Sequence, residues 1–389
     1  MNKTMTKAVA AAVLAMGASA ANAGITIPAG DWTIDIGGNV NAFYVNVDGD
    51  ADTGFSGLVA AAPGADSQNI RTGLLPSALG IGGKTRQNDL DISFQFTFFV
   101  GGDDNAGGNA LGGNSINIRQ AYMTFGDKSW GNITMGRQLG IFGSDAILSD
   151  MTIYGVGTPL GNNGGSSTAG RIGTGYLYAD WIGQISYASP NWNGFSFAVG
   201  LRDPWGGDNG GTHDNDEMGF EGKVSYEWGG DINGKVWAGF ITQDIEDTTG
   251  ANDYDVDAWE LGGKVNFGGF QLVANYQDGE GAGNAGFGIT GSNLVGKERD
   301  VTNWYVQGMY TLPGIGTRLG VSYGEGEVDK SAAIGETHDA RNESWIIGAY
   351  HPLTKSLTLV AEYQDIEAED FMNLDADADV LSLGAILFF

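Results

Sequence analysis

The chain contains no cysteine among its 389 residues, which excludes a disulfide framework and thiolate metal sites. Basic residues are also scarce, because 19 Lys and Arg stand against 47 Asp and Glu, giving a formal net charge of −28. Binding to nucleic acid depends on clustered basic side chains that neutralise phosphates. The sign of the net charge therefore excludes nucleic acid as a partner.

Long apolar runs are missing as well. No segment has 18 consecutive apolar residues, so the sequence predicts no transmembrane helix. Proline is rare, whereas glycine is abundant at 66 residues but lacks the strict repeat of collagen. Aromatic residues make up 11% of the chain, which does not suit a disordered protein. We therefore expect an ordered chain that is not built from long helices.

The first 23 residues have the layout of a secretory signal peptide. Lys3 and Lys7 precede the short apolar run "AVAAAVLAM", and "ANAG" offers a cleavage site after Ala23. We therefore assign residues 1–23 to a signal peptide and residues 24–389 to an exported domain. Removing the two lysines from the 19 basic residues leaves 17 against 47 acidic ones.

Apolar and polar residues alternate with a period of two through most of the mature chain. In "DLDISFQFTFFV", which begins at Asp89, every second residue is apolar and the residues between them are mainly polar. Successive side chains of a strand point to opposite faces, so this pattern predicts a strand with one apolar face. Sixteen such segments are predicted, at 31–47, 72–85, 89–101, 116–126, 129–138, 171–188, 193–202, 217–228, 232–244, 257–266, 269–278, 299–311, 315–325, 342–351, 355–365 and 379–389.

Short and long connections alternate between these segments. The short ones include "GDK" at 126–128 and "GGD" at 229–231, and the long ones have roughly 12 to 30 residues rich in Gly, Asn and Asp. This alternation is typical of an all-β transmembrane antiparallel β-barrel with short periplasmic turns and long extracellular loops. The chain ends in "AILFF", as expected if the last strand closes the barrel on the first. A soluble β-sandwich, a propeller and a β-solenoid are the competing architectures.

Several stretches resemble the family of general porins of Gram-negative bacteria. The likeness is carried, in chain order, by "GLLPSALGIGGKT" (73–85), "RQAYMTFGDKSWGNITMGRQLGIFG" (119–143), "NWNGFSFAVGL" (191–201), "YHPLTKSLTLVAEYQ" (350–364) and the terminal "AILFF". The resemblance implies a homotrimer of 16-stranded barrels, each a water-filled pore narrowed by a third loop that folds inwards. It also implies that the terminal Phe389 is recognised by the barrel-assembly machinery.

The third long loop, at about 139–170, is the predicted constriction. It is more apolar and less charged than the other long loops, which suits a segment packed against an inner wall. The resemblance implies that acidic residues on this loop face basic residues across the pore. The candidates are Asp145 and Asp150 for the acids, Arg119, Arg137 and Arg171 for the bases, and Arg71 and Arg202 as weaker bases.

Arg137 poses a problem of parity. It shares a strand face with Ile133 and Met135, so it points into the lumen only if the strand twists or bulges near Gly136. The inward parity of the strands as a whole carries mostly Ser, Thr, Asn, Gln and charged residues, and Phe43, Tyr305 and Tyr350 fall on it too.

The expected function is passive diffusion of small hydrophilic solutes and ions through an outer-membrane porin, without a cofactor, a metal or an enzymatic activity. The alternatives are a substrate-selective channel for sugars or organic acids, an outer-membrane hydrolase, and an adhesin or structural barrel. The three histidines show neither a catalytic-triad pattern nor metal-ligand spacing. The acidic loops favour solubility at the cell surface or bridging to lipopolysaccharide phosphates by divalent cations. Selection between cations and anions stays open, because the total charge and the arginines favour opposite signs.

Overall fold

The computed structural model describes residues 24–55, 66–100, 116–159, 167–204, 213–214, 217–247, 253–282, 299–331 and 335–389. The predicted signal peptide at 1–23 and residues 160–166 of the predicted constriction loop lie outside these ranges. Within them, no helix combines the length and the hydropathy needed to cross a bilayer.

The described residues form nineteen strands and two short helices. The strands are β1 (Ile25–Ala29), β2 (Trp32–Ala51), β3 (Ser67–Arg71), β4 (Ser77–Gln87), β5 (Leu90–Val100), β6 (Ile116–Asp127), β7 (Gly131–Leu139), β8 (Trp181–Ala188), β9 (Phe195–Arg202), β10 (His213–Asp214), β11 (Gly219–Trp228), β12 (Ile232–Asp247), β13 (Tyr254–Phe267), β14 (Phe270–Glu280), β15 (Asp300–Thr311), β16 (Arg318–Val328), β17 (Ala340–Pro352), β18 (Leu357–Glu369) and β19 (Asp375–Phe388). The helices are α1 (Ser144–Ser149) and a 3₁₀ helix at Met151–Tyr154.

The sheet closes on itself, because β19 pairs with β2 along their length, from Ala376 opposite Ala51 to Phe388 opposite Asn39. Both β3 and β4 pair with β2, at successive stretches, so together they make one wall strand. The two-residue β10 and the short β1 are additions to the wall. Sixteen antiparallel wall strands remain, and the predicted 16-stranded barrel is confirmed.

The short strand β1 continues the line of the last strand. It pairs with residues 32–36 of β2. Just above that stretch, the Phe389 N–H donates to the Gly38 carbonyl and the Gly38 N–H donates to the Phe389 carbonyl. Thus β19 and β1 occupy one edge of β2, end to end.

The two faces of the wall differ as the alternation predicts. On β13, Trp259 and Leu261 are 47% and 58% exposed, while Glu260 between them is 1% exposed. Neighbouring outward rings pack in a row, with ring centroids 5.4 Å apart for Trp259 and Tyr276 and for Trp304 and Tyr323. A row of aromatic rings on the outward surface is typical of the interface between lipid and water.

Two predicted strands have different bounds in the structure. The sixth was predicted at 171–188, yet β8 begins at Trp181, and residues 171–180 form irregular structure with bridges such as Ile172 to Tyr176. The apolar residues Ile172, Tyr176 and Leu177 of this stretch are buried inside the barrel. The second, predicted at 72–85, begins at Ser77, because Thr72–Pro76 breaks the wall strand into β3 and β4.

At the strand ends nearest the long loops, the polarity of the two wall faces is the reverse of the predicted one: apolar side chains face the lumen and acidic side chains face outwards. On β18 and β19, Ile366 and Val380 are 1% exposed and face inwards, whereas Asp365 and Asp379 face outwards in register with each other. The strands continue well into predicted loops, and only residues 370–374 connect β18 to β19. Phe43, Tyr305 and Tyr350 are also buried inside, at 1%, 0% and 2% exposure.

Candidate pore constriction

The segment between β7 and β8 hydrogen-bonds to the inner faces of the wall strands. We call its described residues, 140–159 and 167–180, loop 3. Buried glutamates on three strands accept hydrogen bonds from its backbone N–H groups. The pairs are Glu221 on β11 with Phe142 (3.0 Å), Glu260 on β13 with Gly143 (3.1 Å), and Glu362 on β18 with Val156 (2.8 Å) and Gly157 (2.9 Å). A carboxylate that accepts N–H groups satisfies loop backbone that would otherwise be buried without partners.

Strand β15 is hydrogen-bonded to the helical part of loop 3. The Tyr305 hydroxyl donates to the carbonyl of Ala146 at 2.8 Å. The Gln307 side chain accepts from the Met151 N–H at 2.7 Å and donates to the Ser149 carbonyl at 3.1 Å. The end of α1 and the start of the 3₁₀ helix are thus both fixed to one strand. Since a helix of six residues is marginal alone, these contacts stabilise it.

Asp145, a predicted constriction acid, forms ion pairs with lysines of the wall. Its carboxylate accepts from Lys223 on β11 at 2.9 Å and from Lys235 on β12. Although burial alone would raise the pKa of Asp145, the charges of the two lysines hold it below its ordinary value. Asp145 therefore stays ionised and anchors the first turn of α1 to the wall.

Asp150 and Arg171 connect the two limbs of loop 3. Asp150 is 2% exposed, and its carboxylate accepts from the Arg171 backbone N–H at 3.1 Å and from the Tyr176 hydroxyl at 2.8 Å. The Arg171 side chain, 0% exposed, donates to the Ser322 hydroxyl at 2.6 Å and to the Ser344 hydroxyl at 3.2 Å. Burial lowers the pKa of Arg171 to about 10, so it keeps its charge at neutral pH.

Arg119 points inwards because of an irregularity in the pairing of β5 with β6. Thr97 pairs with Gln120 and Phe98 pairs with Ile118, so Arg119 is an additional residue between them. Such a bulge redirects a side chain locally. The Arg119 guanidinium lies over the ring of the buried Phe99, 5.2 Å from its centroid.

Arg137 lies on β7, opposite Ala121 and Gly183, and is exposed. Gly136 has a φ of +123°, but the pairing runs through it without a bulge, so Arg137 keeps the parity of Met135. Arg137 therefore faces outwards, away from the lumen. Burial raises the pKa of Tyr178 to about 12, and the nearby charges of Arg119 and Arg137 oppose that rise.

The two weaker arginine candidates are buried in the wall. Arg71 is 1% exposed and donates to the Ser167 carbonyl of loop 3 at 2.6 Å. Arg202 lies 3.7 Å from the Glu221 carboxylate, and both side chains are fully buried. Of the basic candidates, Arg119 and Arg137 are therefore the ones that are not fully buried.

A cavity of about 90 Å³ lies between loop 3 and the wall on the side of β3 to β6. The wall contributes Leu74, Leu75, Phe99 and Arg119, and loop 3 contributes Ile153 and Tyr178 among others. Loop 3 is also hydrogen-bonded on this side, because the Arg71 side chain donates to the Ser167 carbonyl and the Leu74 N–H donates to the Gly155 carbonyl. The part of the chain that the structure describes has no group of three or more His, Asp or Glu able to hold a metal ion.

Apart from Arg71, the wall side chains that hold loop 3 were not predicted as functional. Glu221 and Lys223 share the polar parity of β11, which was the available signal for a lumen position. Their partners could not be predicted from the sequence. An alternating pattern tells which face of the wall a residue lies on, but neither its position along the barrel axis nor the residue that it contacts across the lumen. The apolar residues of loop 3 predict packing against the inner wall and give no sign of a cavity.

A profile of the Gram-negative porin family matches residues 9–370. The chain belongs to the Gram-negative porin family. No curated protein sequence matches the chain. Membership in this family, together with the closed barrel, makes the protein an outer-membrane channel for small solutes.

Solved structures of porins have the same fold. The anion-selective porin from Comamonas acidovorans is 19% identical with a TM-score of 0.65, over 92% of this chain and 100% of that one. The outer-membrane channel DcaP of Acinetobacter baumannii is 14% identical with a TM-score of 0.69, over 93% and 99%. Salmonella typhi OmpF in complex with daunomycin is 17% identical with a TM-score of 0.62, over 92% and 100%. At these identities the likeness describes the porin fold.

Proposed function

We propose that the protein is a passive diffusion channel whose narrowest part is formed by loop 3. One observation carries this proposal: inward-facing side chains of β11, β13, β15 and β18 hold loop 3 inside the barrel, and a cavity remains between loop 3 and the wall at β3 to β6. A loop fixed across the lumen reduces the cross-section, and the side chains beside the remaining passage then determine which solutes cross.

The predicted site residues divide between two roles in this proposal. Arg119 sets the charge beside the passage, because its side chain points inwards next to loop 3 and is not fully buried. Arg137 keeps the outward parity of Met135 and therefore does not line the passage. Asp145, Asp150 and Arg171 position loop 3 through the ion pairs and hydrogen bonds described above. The field across the passage is then mainly positive, since local charges outweigh distant, screened ones.

Planar bilayer recording of the purified protein tests the proposed function. We expect discrete, ohmic conductance steps in potassium chloride, and swelling of protein-containing liposomes in solutions of small sugars. Protein that inserts in folded form but gives neither steps nor swelling would contradict a diffusion channel. A sugar flux that saturates at low concentration would favour a substrate-selective channel instead.

We propose further that the protein is a homotrimer. A structurally similar protein, Vibrio cholerae OmpT (15% identical, TM-score 0.56, over 92% of this chain and 99% of that one), is described in a trimer form. In this chain, the outward positions of β4, β5 and β6 include Leu79, Phe96 and Ile118, which are 41%, 44% and 46% exposed. These strands present a broad apolar surface, whereas the outward ends of β12 to β19 carry many carboxylates.

The remaining proposals concern export and surroundings. Residues 1–23 act as a signal peptide, and Phe389 acts as the signal for the barrel-assembly machinery. The outer-membrane partners are lipid and lipopolysaccharide, with divalent cations bridging outward carboxylates such as Asp365 and Asp379 to phosphate groups. Support comes from the position of these carboxylates next to the outward ring of Tyr363, whose hydroxyl donates to Asp379.

A further inference from the structure

The cavity beside loop 3 differs from a passage lined by opposed acids and bases. Leu74, Leu75 and Phe99 of the wall and Ile147 and Ile153 of loop 3 line it with aliphatic and aromatic surface. Among the described residues that line it, Arg119 is the one charged side chain. The cavity therefore combines an apolar lining with a single positive charge.

The two predicted acids of loop 3 do not pair with Arg119. Asp145 is paired with Lys223 and Lys235, and Asp150 accepts hydrogen bonds from within loop 3. Within the described parts of the chain, Arg119 has no carboxylate within 4 Å, and its guanidinium lies over the Phe99 ring. A guanidinium stacked on a ring keeps the N–H groups at its edge available to a carboxylate.

We propose that this cavity is a binding site for amphipathic organic monoanions, with the carboxylate on Arg119 and the hydrocarbon part against Leu75, Phe99 and Ile153. The proposal rests on the proposed channel function and assigns a solute class to its narrowest part. The Arg119–carboxylate hydrogen bond is charge-assisted, and its strength increases in a cavity that excludes water. The apolar lining adds affinity in proportion to the hydrocarbon surface that it removes from water.

Block of the chloride current by acetate, butyrate and hexanoate tests this assignment. We expect the blocking affinity to increase with chain length, by up to about fourfold for each fully buried methylene. Hexylammonium carries the same hydrocarbon chain with the opposite charge and should not block. A channel in which hexanoate blocks no better than acetate would overturn the assignment.

Two variants separate the two halves of the site. Arg119→Gln should weaken the block by every carboxylate by roughly tenfold while leaving the dependence on chain length. Ile153→Thr should reduce the gain in blocking affinity per methylene, and an unchanged gain would overturn the apolar half of the site. Arg86→Gln is the matched control, because Arg86 pairs with Asp91 and Asp127 near the short turns, away from the cavity.

The outcomes distinguish this inference from the proposed function. Wild-type protein without any conductance would overturn the channel itself. A conducting wild type whose carboxylate block is the same in Arg119→Gln would overturn only the binding site. Equal weakening by Arg119→Gln and Arg86→Gln would show that general charge, and not the cavity, attracts carboxylates, and it would also overturn the site.

Discussion

Asp145 shows how a candidate residue can have partners that the sequence does not predict. Its place in an apolar loop identified it as a candidate for a lumen position. The lysines that bind it lie 78 and 90 residues further along the chain, on β11 and β12. No local pattern in the sequence reports a distance across a barrel, so these partners could not be read from it.

The ion pairs of Asp145 make a prediction about pH. Its folded pKa lies below its ordinary value of 3.8, so the stabilisation by the lysines is fully present above that value and is lost as the pH falls through the folded pKa. Asp145→Asn should therefore lower the unfolding temperature at neutral pH, by an amount that reflects about 3 kcal/mol for breaking a buried pair.

Thermal unfolding in detergent, followed by circular dichroism, measures this difference. The gap between wild type and Asp145→Asn should be constant from neutral pH to about pH 5 and should narrow in stronger acid. Asp231→Asn in a short turn is the control, and it should leave the unfolding temperature unchanged at every pH. A gap that widens in acid would contradict the ion-pair explanation.

Loop 3 is the proposed constriction, and its fit inside the barrel depends on a glycine. Gly155 lies against the Glu362 carboxylate, and a methyl group at this position would overlap the carboxylate oxygens. Gly155→Ala should displace the loop from β18 at a cost of about 1–3 kcal/mol. We expect a larger single-channel conductance with more current noise.

Gly229→Ala serves as the control for this prediction, because a methyl group there meets nothing within 4 Å. Single-channel recording in potassium chloride compares the two variants with the wild type. An unchanged conductance in Gly155→Ala, with the protein folded, would mean that the contact with Glu362 does not hold the constriction.

Strands were predictable where their outward residues are apolar. The alternation in β5 located it to within one residue at each end, since predicted 89–101 became Leu90–Val100. The end of β18 and the start of β19 lie outside the predicted strands. Their outward residues are acidic, and their inward residues, such as Ala376 and Ala378, are too small to make the alternation clear. A lipid-facing pattern describes only the part of a strand that lipid covers.

The whole barrel was predictable because closure follows from strand number and the alternation of connections. Its assembly is a separate question, and the charge-free outward surface of β4 to β6 gives the test. Phe96→Arg places a charge on this surface and should convert the proposed trimer to monomers. Leu261→Arg makes the same change on β13, on the other side of the barrel, and should leave the trimer intact.

Light scattering of detergent-solubilised protein reports the mass of each variant. Trimers in both variants would show that this surface is not the subunit contact. Monomers in both would mean that the arginine itself disturbs assembly wherever lipid covers the barrel, since a cation at the bilayer midplane costs about 2–4 kcal/mol.

The end-to-end arrangement of β19 and β1 has a practical consequence for labelling. A purification tag fused after Phe389 could not extend the pairing of β19 with β2, because Trp32–Ile36 of β2 are already paired with Ile25–Ala29. The appended peptide would have to leave the wall or displace that short strand. Fluorophores and affinity handles are better introduced at Gly229, where a side chain meets nothing within 4 Å and the backbone is not in the left-handed region.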